Sequence, residues 1–374
     1  QVFVMKNIQS VCENLLKPVK IVEGIVEKRQ TLPILSNILI EQNGENVKFS
    51  ATDLDIQIST EAPVGVAGVD TRFTVGASKL ASILTALPAT NEVQFDLGDR
   101  GLTISSNNGK FQLQTLSADE YPVLKESQWE TTLFIPSRTL RYLLTMTAFA
   151  MASQDVRYYL NGVLFVVEGK KLRTVATDTH RLACCEVDVD DENTPMQAII
   201  PRKTVRELIR LLPEDDTPVR VQFTDLQVCF SFGNITFMSK LIEGRFPDYK
   251  RVLPSQDTNP NALELEREAI SNALRRVGIM TNEKFHGIRW ILNGEGLQIQ
   301  STNSDHEEAL ERFDVPWTHD ELDMGFNITY LLEVLGILKN KTVRFNFSTA
   351  SGSVLITMPE SQERFRYVVM PMRI

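Results

Sequence analysis

Apolar and polar positions along the chain fall into one pattern three times. An apolar segment from Leu35 ends at Ala51-Thr52-Asp53, a second from near Tyr159 ends at Ala176-Thr177-Asp178, and a third from near Ile288 ends at Ser301-Thr302-Asn303. Thr52, Thr177 and Thr302 stand 125 residues apart each time. Each segment is broken at glycine, in Asn43-Gly44, Glu168-Gly169 and Asn293-Gly294-Glu295-Gly296. Glycine turns between alternating runs predict β-hairpins. Apolar residues at helical spacing follow in Leu80 to Leu87, Val205 to Leu212 and Tyr330 to Leu338. Strands are then predicted at Val93-Gln94-Phe95, Val219-Arg220-Val221 and Val343-Arg344-Phe345. A helix opens each copy, at about Ile8 to Glu27, Arg138 to Ala152 and Glu268 to Thr281.

Five features in one order at one offset are a repeat. A unit of this length can bury its own core, unlike a short solenoid repeat. The expectation is α+β: three tandem copies of one domain, each with two helices packed on antiparallel sheets. The boundaries are placed at 1–129, 130–257 and 258–374, the last beside the polar, proline-flanked stretch Pro254 to Pro260.

Composition narrows the picture. The chain has 374 residues, 39 basic and 48 acidic, for a net charge of −9. No run approaches the ~20 apolar residues of a membrane helix, and no signal peptide is visible. The four cysteines are dispersed without a CxxC pair, which fits a reducing cytoplasm and neither a disulfide scaffold nor a structural zinc site. The positive charge sits on the predicted helices. Lys203, Arg206 and Arg210 make one stripe beside Val205, Leu208 and Leu212. Arg275 and Arg276, Lys17, Lys20, Lys28 and Arg29, and Arg138 and Arg141 lie on the other helices. Such faces are solvated surface or, brought to one side by the repeat, a basic surface that holds phosphates without reading sequence.

Catalytic signatures are sparse. No phosphate-binding P-loop, GxGxxG or GxSxG motif occurs. Asp155, Asp178 and His180 are the best candidates for a metal-dependent phosphodiesterase. Against this, Asp178 belongs to a repeated Thr-Asp where Asp serves turns, and the third copy has Asn303. No enzyme, metal or cofactor is expected. The apolar C-terminus, Tyr367 to Ile374, reads as an edge strand or as the wall of a groove that accepts an apolar peptide, where methionine adapts its shape. A monomeric three-domain peptide-binding adaptor is a further reading.

Several longer motifs carry a resemblance. They are Thr31 to Leu35, Gln154 to Gly162, Thr174 to Asp178, His180 to Ala183, Gly244 to Tyr249, Asn282 to Phe285 and Tyr367 to Arg373. In this order, over nearly the whole chain, they resemble the family of bacterial DNA polymerase III β subunits, the sliding clamps. The resemblance implies the DNA-clamp fold and a ring-shaped head-to-tail homodimer, with helices lining a hole around double-stranded DNA. It implies no enzymatic activity, a cytoplasmic location, and a pocket for a short peptide with a Gln and two apolar anchors. The peptide would come from the DNA polymerase III catalytic subunit, the clamp loader, other DNA polymerases, and mismatch-repair and ligase proteins.

Carried over by position, the peptide residues are Leu160, Thr177, Thr179, His180, Arg181, Leu182, Pro247, Arg251, Val252, Phe285, Asn327, Tyr330, Ser353, Val368, Val369, Met370, Pro371, Met372, Arg373 and Ile374. The DNA residues are Arg29, Gln154, Tyr158, Tyr159 and Lys203. The dimer would set Lys110, Phe111 and Leu113 of one chain against Ile279, Met280, Glu307, Glu308 and Glu311 of the other, with Phe111 and Leu113 supplying most of the stability. Two positions depart from the family: Thr179 stands where glycine is common, and Ser351 where a small apolar residue is.

Overall fold

The computed structural model describes residues 5–29, 31–361 and 364–373. The first repeat runs β1 (Met5–Val11), α1 (Cys12–Glu23), β2 (Asn37–Asn43), β3 (Asn46–Thr52), β4 (Ile56–Ala62), β5 (Asp70–Gly76), α2 (Ala77–Ala86), β6 (Glu92–Gly98), β7 (Gly101–Ser106), β8 (Gly109–Leu113) and β9 (Thr115–Leu116). The second runs β10 (Thr131–Pro136), α3 (Ser137–Ala148), β11 (Gly162–Thr177), β12 (Arg181–Pro201), α4 (Arg202–Leu211), β13 (Pro218–Phe223), β14 (Gln227–Phe232), β15 (Ile235–Lys240) and the one-turn α5 (Tyr249–Val252). The third runs β16 (Asn261–Glu266), α6 (Arg267–Gly278), β17 (Gly287–Asn293), β18 (Gly296–Thr302), β19 (Glu308–Phe313), β20 (Leu322–Asn327), α7 (Ile328–Ile337), β21 (Thr342–Phe347), β22 (Val354–Thr357) and β23 (Phe365–Val369). The chain is therefore α+β, with one plan of strands and helices in tandem three times, the long strands β11 and β12 of the second repeat standing where the first and third have four strands.

Most expected elements are present, with one shifted start. Ile8 to Val11 are strand rather than helix, and α1 begins at Cys12. Ile8, Cys12, Leu15 and Val19 fit helical spacing, but Ile8 to Val11 pair with Glu92 to Phe95 of β6, and the ladder prevails. The expected turns fall at Gly44 (φ +60°) and at Gly169 (φ +59°), where the β11 ladder is irregular. Both glycines occupy the left-handed region, which has no steric cost without a Cβ.

Two compact units divide the chain: Gln1–Arg141 with Arg206–Leu241, and Tyr142–Val205 with Ile242–Ile374. The first unit holds a four-stranded sheet, β1-β6-β7-β8, and a nine-stranded sheet, β10-β13-β14-β15-β4-β3-β2-β5-β9. The second holds a six-stranded sheet, β11-β12-β23-β22-β21-β16, and a four-stranded sheet, β19-β18-β17-β20. All of the pairings are antiparallel.

The long sheets arise because repeats share them. At one junction β15 of the second repeat pairs with β4 of the first, and at the other β23 of the third pairs with β12 of the second. Strand ladders make the positions comparable. Phe111 faces Ile104 and, through it, Phe95; Phe237 stands likewise to Phe230 and Val221, and Tyr367 to Ile356 and Phe345. Across the junctions Phe237 faces Ile58 and Tyr367 faces Ala183. Phe237 and Tyr367 are fully buried, whereas Phe111 is 37% exposed. Its strand β8 is an outer strand, as is β19 in the third repeat, and neither has a second partner among the described residues.

Candidate functional site

The Thr-Asp signature folds as a turn, and its hydrogen bonds explain the repeat. The Thr177 hydroxyl donates to the Arg181 carbonyl (2.7 Å) and accepts from the Thr179 amide (3.1 Å). Asp178 Oδ1 accepts from the amides of His180 (2.9 Å) and Arg181 (3.1 Å). Thr52 and Asp53 make the same four bonds in the first repeat. Asn303 fills the place of the carboxylate in a longer turn, accepting from the amides of Asp305 and Glu307. Asp178 is thereby engaged in a turn, and Oδ2 takes Arg181 Nε at 3.1 Å. Asp155 is gripped by both arms of Arg157 at 3.0 Å, whose hydrogen bonds hold its carboxyl below the usual carboxylate range. No group of three metal-ligating side chains occurs among the described residues.

Beyond the turn, β12 and β23 lie side by side in the second unit. Leu182 faces Val368 and Val368 faces Leu355. With Val166, Val175 and Cys184 these side chains form one apolar sheet face, on which Phe246, Tyr249 and Leu253 pack. The face continues β11's alternation, so Thr177 shares it. Helix α5 leaves Val252 and the guanidinium of Arg251, paired with Asp248 at 3.0 Å, exposed beside it. Pro247 precedes the helix and is half-buried. Past β23, Met370 is exposed, and its amide donates to the His180 carbonyl (3.0 Å). Thus β23 is an interior strand, not an edge, and the chain after it borders an apolar surface.

A second cluster flanks the turn. The rings of His180 and Tyr330 stack at 6.2 Å. Arg181 lies 4.6 Å over the Tyr330 ring and pairs with Glu333 (3.3 Å) as well as Asp178. Burial opposes its charge, but Tyr367, Glu333 and Asp178 outweigh that and hold its pKa above the ordinary value. Burial raises the Tyr330 phenol, and the Asp178 charge adds to the shift. The Tyr367 hydroxyl donates to the Tyr330 carbonyl (2.8 Å). Asn327 caps α7, accepting from the Thr329 amide. The Met372 amide donates to the Gly325 carbonyl (2.8 Å), and its thioether stands 3.6 Å from where a Cβ on Gly287 would lie. Phe285 is exposed under the Lys284 ammonium, Arg373 is exposed, and Pro371 and Ser353 are half-buried.

Not every expected site residue reaches this surface. Leu160 and Val369 are fully buried, and Val368, Leu182 and Thr177 are themselves only 1%, 3% and 6% exposed; Val369 pairs with Arg181 and alternates to the face opposite Val368. Arg181 is on that opposite face as well, a support for the turn and for Tyr330. Thr179 is exposed with φ +77°, a left-handed residue with a branched side chain. Ile374 lies outside the described residues. Glu333 was not anticipated, although it stands three residues after Tyr330, on the same side of α7.

The other expected surfaces differ in the same way. Arg29, Gln154 and Tyr158 are exposed, Gln154 in a left-handed conformation, while Tyr159 packs against the apolar cluster and Lys203 is half-buried. The basic stripes are partly engaged: Arg210 binds Glu207 and the carbonyls of Lys20 and Ile21, and Arg141 binds Glu214. Lys17 and Arg206 remain exposed. At the outer strands, Lys110, Glu307 and Glu308 are exposed, Ile279 is exposed and Met280 half-buried, and Glu311 pairs with Arg276. Leu113 is already 9% exposed within the chain, so it has little area left to lose; Phe111 and Ile279 keep theirs.

Known proteins share this arrangement. The models of the N-terminal, central and C-terminal domains of the DNA polymerase III beta subunit match residues 7–125, 134–248 and 250–373. The beta sliding clamp of Escherichia coli K12 is 40% identical over 363 residues, covering 97% of this chain and 98% of that protein. That of Pseudomonas aeruginosa is 39% identical with the same coverage. The crystal structure of the DNA polymerase III subunit beta from Pseudomonas aeruginosa superposes with a TM-score of 0.92 at 38% identity, over 98% of this chain and 100% of that one. A sliding clamp of the same organism bound to griselimycin gives 0.93 at 39% identity, over 99% and 100%.

Proposed function

This chain belongs to the DNA polymerase III beta subunit family, the sliding clamps, and from that premise we propose that two copies join head to tail into a ring threaded by double-stranded DNA. The observation that carries the reading is the inventory of sheet edges. Two junctions inside the chain join an outer strand of one repeat, β15 or β23, to β4 or β12 of the repeat before it. The same two kinds of edge are left at the chain's extremes, β8 in the first repeat and β19 in the third. Unpaired edges invite strand pairing, and a heterologous contact closes when its rotation permits. The proposed contact repeats the junction register, with Phe111 of one chain opposite Ala309 of its partner, because Ala309 holds the place of Ile58 and Ala183 after the repeated turn. Burial of Phe111 and Ile279 stabilises that contact, and Lys110 near Glu307, Glu308 and Glu311 orients it.

Binding to DNA is then topological, and the chain tethers rather than catalyses. Lys17, Arg29, Gln154, Tyr158, Lys203 and Arg206 are the proposed dispersed contacts to the backbone, weak enough to permit sliding. The face of Leu182 and Val368, with Thr177, Pro247, Arg251, Val252 and Met370, is the proposed seat of a peptide's apolar anchors. His180, Tyr330, Asn327, Phe285 and Met372 supply the flanking wall. Its occupants are replication and repair proteins: the polymerase, the clamp loader, other polymerases, mismatch-repair proteins and ligase. The griselimycin-bound relative supports a ligand site on this fold.

The test is retention on nicked circular DNA after loading, before and after linearisation. The expected result is a protein held on the circle that runs off the linear form. Equal dissociation from both would overturn the ring.

A further inference from the structure

The sheet face that carries Leu182 and Val368 does not end there. Two residues further along the strands, roughly 7 Å, it opens into a cavity of about 610 Å³ within the second unit. Its polar wall includes Arg173, Tyr249, Lys250, Asn346, Thr357 and Arg366, and no acidic residue lines it among the described residues. Arg173 is satisfied by Glu186 (2.7 Å) and the Tyr249 hydroxyl (2.8 Å), and Lys250 approaches Glu168 at 3.5 Å. Arg366 has no carboxylate among the described residues. One of its terminal nitrogens reaches Cys184 Sγ at 3.8 Å, and its Nε has no partner. Thr357, only 3% exposed, faces Arg366 directly across β22 and β23, and its hydroxyl has no partner either.

Buried polar groups are normally hydrogen-bonded, and two adjacent unsatisfied ones leave the wall of this cationic cavity incompletely paired. The Arg366 guanidinium can only donate and has no carboxylate partner among the described residues, so the complement of the cavity it lines with Lys250 is an anion with acceptor oxygens. We propose that this cavity receives a carboxylate side chain that flanks the peptide held on the neighbouring apolar face. The inference rests on the peptide-capture reading above. Continuity favours a peptide over a nucleic-acid phosphate. Helix α5 borders both places, presenting Arg251 and Val252 to one and Tyr249 and Lys250 to the other. Leu355 is in the apolar cluster and in the cavity wall. A residue two or three positions from an apolar anchor spans the gap.

The experiment measures fluorescence anisotropy at low salt with the full chain. The ligands are a peptide of one Gln and two apolar anchors, and the same peptide with two glutamates or two lysines added at either end. A glutamate tail at one end is expected to tighten binding roughly five- to tenfold over the neutral peptide, with no gain from lysine. Arg366→Gln and Thr357→Val should each reduce that gain and leave the neutral peptide unchanged, which also reports that the site is still folded. Equal affinity of neutral and glutamate peptides overturns the subsite while the peptide site stands. So does a gain that survives in both variants. Failure of every peptide to bind removes the peptide-capture reading and this inference with it. A short DNA duplex that abolishes the glutamate gain without displacing the neutral peptide would assign the cavity to backbone phosphate and overturn the proposal.

Discussion

At the first junction the Lys240 amide donates to the Asp55 carbonyl (2.8 Å), and at the second the Met370 amide donates to the His180 carbonyl (3.0 Å). The turns beside these bonds, Thr52-Asp53-Leu54 and Thr177-Asp178-Thr179, share their hydrogen bonds and their left-handed third residue, φ +80° and +77°. The side chains are unlike. Where the second junction has His180 and Met370, the first has Asp55 and Lys240, paired at 3.4 Å. Where the second has Leu182, the first has Gln57, whose Oε1 accepts from the Leu124 amide, so linker residues lie over it. One backbone plan gives a polar seam with a half-buried Gln57 and an apolar one in which Leu182 and Val368 are buried and Met370 is exposed. The proposed peptide site is therefore a property of a few side chains laid on a junction, not of the junction itself.

The largest expected effect tests what a joined edge contributes. Phe237→Ala removes a fully buried ring at the first junction and should cost about 3–5 kcal/mol of folding stability. Phe111→Ala, at the equivalent place on the open edge, should cost the isolated chain less than about 1 kcal/mol. It should instead weaken the dimer by about 2 kcal/mol, a roughly 30-fold rise in Kd. Urea unfolding and sedimentation over a concentration series separate the two. A Phe111 variant that unfolds early yet dimerises normally would break the proposed assembly.

Next in size is a conversion of one junction into the other. Leu182→Gln with Met370→Lys gives the second seam the first seam's polarity. Two apolar contacts are lost, about 2–4 kcal/mol of peptide binding, a drop of roughly 30- to 1000-fold, with the dimer unchanged. Deleting residues 370–374 should act in the same direction on peptide binding and equally spare the dimer. Calorimetry with a peptide of one Gln and two apolar anchors, beside sedimentation of the same samples, checks both.

Acid should distinguish the seams more gently. Burial pushes the Glu186 carboxyl up, but hydrogen bonds and charge from Arg173 more than cancel this and hold it below the usual range. A depressed folded pKa adds stability above the unfolded value, about 4.3, and that contribution is lost as pH falls through the folded one. Glu186→Gln should therefore flatten the loss of stability between about pH 5 and pH 3. The Asp55–Lys240 pair is exposed, where ion pairs contribute little, so Asp55→Asn should leave stability nearly as in the parent chain.

Much of this was legible in the sequence, for identifiable reasons. Thr52, Thr177 and Thr302 mark the repeat because their hydroxyls and the following Asp or Asn close turns with local bonds, and local bonds leave a motif. Helices α2, α4 and α7 showed as apolar spacing. Pairing of β15 with β4 spans about 180 positions and leaves no local trace, so the shared sheets were not foreseen. Ile8 to Val11 looked helical because spacing alone does not register a ladder with β6. Carry-over by position could name Leu160 and Val369 but not their burial, which depends on strand alternation and packing. The vacant partners of Arg366 and Thr357 were invisible because neither residue belongs to a motif.

The smallest expected effect concerns the turn that the two seams share. Leu54 and Thr179 both hold a left-handed conformation, which costs a side-chain-bearing residue about 1–2 kcal/mol. Glycine relieves that cost but gains freedom in the unfolded chain worth about 0.5–1 kcal/mol. Thr179→Gly and Leu54→Gly should each stabilise the fold by about 0.5 kcal/mol as the difference of these terms. Only Thr179 stands beside the peptide seam, and its branched side chain is exposed there. Thr179→Gly should therefore also change peptide affinity, by about threefold or less, while Leu54→Gly leaves it alone. Thermal unfolding and peptide titration of both variants decide the matter. A shift in peptide affinity from Leu54→Gly would mean that the two seams communicate, and the side-chain account of the site would be incomplete.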